Sequence, residues 1–74
     1  WSVFPNPATN VVTVATNSSN AGSFTLFDAQ GRELISENIA NNTQVNLSSV
    51  ANGLYMYTIT VDGKRQKGTL IKKS

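Results

Sequence analysis

Apolar and polar residues alternate through most of this chain, with the period of a strand that has one face covered. The longest instance is Gly53 to Lys73, GLYMYTITVDGKRQKGTLIKK, where β-branched and aromatic residues are broken once by Asp62-Gly63. That dipeptide suits a tight hairpin turn, because glycine accepts positive φ at no steric cost. A two-residue loop pairs Val61 with Lys64, and counting back sets Ile59 opposite Gln66, Tyr57 opposite Gly68 and Tyr55 opposite Leu70. A bulged turn would shift this register by one. In the unshifted register the Tyr57 ring covers backbone that Gly68 leaves bare. Tyr55, Tyr57, Ile59 and Val61 then share a face predicted to be buried. Met56, Thr58 and Thr60 share the opposite, wet face with Arg65, Lys67 and Thr69.

The rest of the chain reads the same way. Ser2 to Phe4 predicts a short edge strand, ended by Pro5 and Pro7, neither of which can donate to a ladder. Asn10 to Thr16, NVVTVAT, predicts a strand with Val12 and Val14 inward. Asn17 to Gly22 is a loop of turn formers. Ser23 to Asp28 and Arg32 to Asn38 flank Asp28-Ala29-Gln30-Gly31, where Asp leads and Gly closes a type I turn, and so form a second hairpin. Phe24 and Leu26 point inward, Phe27 outward, and Leu34 is expected to join the core. Ile39 to Asn42 is a connection, Thr43 to Leu47 a strand with Val45 and Leu47 inward, and Ser48 to Asn52 a turn into Gly53. About seven short strands separated by turn signals predict a small antiparallel β-sandwich. The predicted core is Val12, Val14, Phe24, Leu26, Leu34, Leu47, Tyr55, Tyr57, Ile59 and Leu70. No segment carries the i, i+3, i+4, i+7 pattern of an ordinary helix.

Composition narrows the function more than the fold. With 74 residues, one domain with a thin core is expected, spanning residues 1–74. There is no Cys and no His, which removes disulfides, the usual zinc ligands, nucleophilic triads and the commonest general base. No enzyme, cofactor or metal site is therefore expected. Among the carboxylates, Asp28 and Asp62 are better read as turn residues bonding their own backbone than as an acid/base pair. A domain this small is also expected to lack a pocket of ~300 Å³ or more, the scale of a small-molecule site. Calcium has only weak oxygen sites at Asn17 to Asn20 and Asn41-Asn42. The net charge of +2 is too small to imply a polyanion by itself. Lys64, Arg65, Lys67, Lys72 and Lys73 nevertheless cluster at one end, where they are expected to lie solvated along an edge strand. Nucleic-acid binding is disfavoured because the tyrosines fall on the buried face and Arg65 and Lys67 on the other. No apolar run is long enough for a membrane helix, so direct membrane insertion is not expected. A chain that begins at Trp1 reads as the excised C-terminal piece of a longer protein.

These motifs, taken in order, resemble the type A C-terminal sorting domain of the type IX secretion system of Bacteroidetes. The resemblance rests on Phe4-Pro5-Asn6-Pro7-Ala8, Val12 and Val14, Asp28-x-x-Gly31-Arg32, Leu47, Gly53-Leu54-Tyr55 and a lysine-bearing final strand. The chain departs from the pattern in ending one serine past its lysines, and in Gly68 interrupting the last strand. The resemblance implies an immunoglobulin-like sandwich with no chemistry of its own. It implies a label that carries an N-terminal cargo through the periplasm to the outer-membrane translocon, destined for the cell surface or secretion. There a sortase-like surface protease removes it, or the cargo is attached. On this reading Pro5, Asn6, Pro7, Gly53, Tyr55, Lys72 and Lys73 are the candidate recognition residues. The alternative is an accessory sandwich that binds carbohydrate or spaces an enzyme from the surface, with Trp1 and Phe27 the aromatic candidates. Open edges also leave a strand-swapped dimer as an option, exchanging the N-terminal strand.

Overall fold

The computed structural model describes residues 2–4, 10–16, 20–40 and 42–73. They form β1 (Ser2–Phe4), β2 (Val11–Ala15), β3 (Gly22–Phe27), β4 (Glu33–Ile39), β5 (Thr43–Asn46), β6 (Gly53–Val61) and β7 (Lys64–Lys72), with no helix among them. One sheet has the order β1-β2-β5 and the other β4-β3-β6-β7, and every pairing is antiparallel. In the lettering of immunoglobulin sandwiches, strands A, B and E face C′, C, F and G.

Turn chemistry sets the two hairpins. Asp62 and Gly63 take φ of 54° and 75°, the two positive values that a type I′ turn requires. The predicted register follows without a slip: Val61 meets Lys64, Ile59 meets Gln66, Tyr57 meets Gly68 and Tyr55 meets Leu70. In the other hairpin the Gly31 N–H donates to the Asp28 carbonyl at 3.0 Å, and the Asp28 N–H to the Arg32 carbonyl at 2.9 Å. Gly31 has φ of 85°, so a type I turn is followed by a left-handed glycine, the standard three-residue hairpin loop.

Among the described residues, twelve buried apolar side chains make one core between the sheets. Val12, Val14, Val45 and Leu47 meet Phe24, Leu26, Ile59 and Leu70 from the facing layer, and all eight are at most 1% exposed. Tyr57 is half-buried, stacked on Phe24 with ring centroids 5.8 Å apart. Leu34 departs from the expectation. The register shifts between Leu26, opposite Ile35, and Phe27, opposite Glu33, which leaves Leu34 as the extra residue of a bulge. It is therefore exposed, and Ile35 packs against the core in its place. Strand β4 also runs on to Ile39, which is buried and was expected to start a polar connection.

Candidate functional site

The candidate residues of the second half converge on one corner. Gly53 opens β6 directly opposite Lys72 near the end of β7, and the Tyr55 ring lies beside Gly53. The alternation of β6 and β7 turns Tyr55 and Lys72 inward, towards the loop that joins β5 to β6. The Tyr55 hydroxyl donates to the Ala51 carbonyl, four residues upstream. This is the tyrosine corner of immunoglobulin-like sandwiches, and Tyr55 is placed near the start of the F-equivalent strand, where that feature belongs. The Lys72 ammonium donates to the next carbonyl back, that of Val50, at 2.7 Å. Val50 itself is buried, and its N–H donates to the Leu47 carbonyl. The Leu47 N–H in turn donates to the Asn10 carbonyl at 2.6 Å, which ties the loop to the start of β2.

Lys72 therefore corrects the expectation of a fully solvated cluster: it is 7% exposed, while Lys64, Arg65, Lys67 and Lys73 are exposed. Its methylenes extend the apolar layer and its head finds a carbonyl that the loop turns inward. Tyr55, 8% exposed, is likewise interior. Of the four candidates at this corner, Lys73 is the one whose side chain faces solvent in a way a partner can meet directly. Pro5, Asn6 and Pro7 lie outside the described residues.

The two aspartates divide. Asp28 bonds its own turn, as expected: Oδ1 accepts from the N–H groups of Gln30 and Arg32, each at 2.9 Å, and Oδ2 from Arg32 Nε at 3.1 Å. The Arg32 backbone N–H leads in holding the Asp28 carboxyl below its ordinary pKa; desolvation opposes it, and the Arg32 side chain and the Gln30 N–H add to the lowering. Asp62 differs from the expectation of a self-bonded turn residue. Its carboxylate accepts from the Asn20 side-chain amide at 2.9 and 2.8 Å, linking the β6–β7 turn to the loop before β3.

The sheet β4-β3-β6-β7 also carries an open groove of about 620 Å³ on its outer face, floored by Thr25, Phe27, Met56 and Thr58 and edged by Arg65 and Lys67. A smaller recess of about 330 Å³ lies among Asp28, Leu34, Val50 and Tyr55. The expectation that no such concavity fits missed them because it counted interior space. Both are open hollows on a curved surface.

A model of the family described as the secretion system C-terminal sorting domain matches residues 2–73. The chain belongs to this family. The match spans nearly the whole sequence, and it includes both hairpins and the corner built from Tyr55 and Lys72. A search of the curated proteins finds no match. The sorting domain is a C-terminal signal for type IX secretion, so it marks a protein for export from the cell, attached behind an N-terminal cargo and in contact with the secretion machinery. Its family is one of sorting signals and not of catalysts. Sequence reasoning missed the loop carbonyls of Val50 and Ala51, because backbone acceptors leave no residue signature. The one available signal was a tyrosine two residues into a strand that follows a short loop.

Proposed function

We propose that the sorting domain acts as a folded recognition element, delivering its cargo from the periplasm to the outer-membrane translocon of the type IX system. A surface sortase-like protease then removes it and leaves the cargo free or attached to the cell surface. The observation that carries the reading is the family match over residues 2–73. The corner adds a physical reason for recognition in the folded state: Lys72 ties the end of β7 into the interior, so Lys73 is presented from a folded surface. In this reading Gly53, Tyr55 and Lys72 shape the corner. Lys73, with the Pro5-Asn6-Pro7 segment, offers contacts to the translocon.

The test appends residues 1–74 to a periplasmic reporter in a type IX-competent cell. The reporter is expected on the surface or in the medium, and there shortened by the length of the domain. Retention in the periplasm with the domain intact would sink the reading. An exported reporter that keeps its full length would remove the cleavage step alone.

A further inference from the structure

We infer that the outer face of the four-stranded sheet is a docking groove for a partner protein of the secretion machinery, one that presents carboxylates beside apolar side chains on a convex element. The proposal rests on the sorting reading and names the face and the partner chemistry. On the outward parity of β6 and β7, Leu54 pairs with Ile71, Met56 with Thr69, Thr58 with Lys67 and Thr60 with Arg65. Phe27 of β3 sits against Met56 and Thr25 against Thr58.

This face is graded along the strands. At one end Leu54, Ile71 and Met56 are 57%, 45% and 41% exposed, a contiguous apolar group that this domain leaves largely uncovered. At the other end Arg65 and Lys67 edge the groove, which has no carboxylate among its described lining residues. The carboxylates nearest by register are Asp62, in the turn beyond Thr60 and Arg65, which accepts from the Asn20 side-chain amide, and Glu33, opposite Phe27 on β4, with β3 and β6 between it and β7. The cations therefore face the groove without an opposite charge among its described lining residues, and the complementary surface is acidic. Threonines fill the middle, with short side chains that keep the floor low. A groove receives a protruding element, whereas a flat bilayer meets only what projects. The shape thus favours a protein over a lipid surface.

The test again uses the domain fused to a periplasmic reporter. Arg65→Glu with Lys67→Glu reverses the charge of the groove edge, and Lys64→Glu makes the same change on the opposite parity of β7. Thr58→Trp fills the floor without changing charge. The double reversal and Thr58→Trp are each expected to reduce export about tenfold, and Lys64→Glu less than about twofold, with all three melting like the unmodified domain. Full export of either groove variant in a folded state overturns the proposal. Binding of the unmodified domain to phosphatidylglycerol vesicles that the double reversal abolishes also overturns it, in favour of a lipid surface. If the unmodified fusion is not exported, the sorting reading itself fails, which separates the two.

Discussion

The ammonium group of Lys72 lies 2.7 Å from the carbonyl oxygen of Val50, a residue 22 positions earlier on the β5–β6 loop. Both residues are buried, so this bond joins the last strand to the β5–β6 connection inside the protein. Removing the donor leaves a buried carbonyl unsatisfied. Lys72→Met keeps most of the stem and is expected to destabilise the domain by about 1–3 kcal/mol, while Lys73→Ala changes stability by no more than ~0.5 kcal/mol. Urea denaturation of the two variants measures this. Equal effects would contradict the assignment of Lys72 to the interior.

That asymmetry gives export experiments a clean control. Truncation from Leu70 removes a residue that is 0% exposed together with Lys72, so loss of export on truncation is expected to accompany loss of folding. Circular dichroism of the truncated domain should show no cooperative thermal transition. Lys73→Glu is expected to leave the melting curve in place, so its effect on export reports contact with the machinery.

Tyr55→Phe deletes a single hydroxyl that donates to the Ala51 carbonyl and leaves the packing ring. The expected cost is about 1 kcal/mol, the usual net contribution of one hydrogen bond whose acceptor loses its partner. A larger effect, above about 3 kcal/mol, would mean that the corner organises the loop cooperatively.

Gly68 faces the ring of Tyr57 across the hairpin, and a Cβ at Gly68 would fall 2.5 Å from Tyr57 Cζ. Gly68→Ala is therefore expected to destabilise by about 1–3 kcal/mol through overpacking. In a Tyr57→Ala background the same change should be neutral or stabilising, because alanine restricts the unfolded chain more than glycine does. A double-mutant cycle by denaturation reads the coupling. Additive effects would show that the ring does not cover the glycine.

Asp28 predicts a pH dependence whose sign follows from its lowered pKa. Its ionised form is stabilised in the folded state, chiefly by the Arg32 N–H. That stability is fully present above about pH 4, the ordinary carboxylate value, and is lost as pH falls through the lowered folded pKa. Asp28→Asn should be less stable than the unmodified domain at pH 7, and the gap should narrow on acidification to about pH 3. Urea midpoints at the two pH values test it, and a gap that widens in acid would refute the assignment.

Local physics made much of this protein legible from its residues. Asp62-Gly63 can make a two-residue turn because both positions tolerate positive φ, and that turn alone set the pairing of Tyr55, Tyr57 and Ile59 with their partners. Alternation likewise sorted Val12, Val14, Phe24 and Leu26 to the interior, since period-two sidedness does not depend on what covers the face. What tertiary structure alone decided was whatever depended on a second segment. Leu34 and Ile35 are near-equal in hydrophobicity, and a bulge against Phe27 chose between them. Lys72 looked like its solvated neighbours until the loop at Val50 brought a carbonyl to its head group. A lysine's address, unlike a valine's, is set by where its charge finds an acceptor, and a linear pattern does not carry that distance.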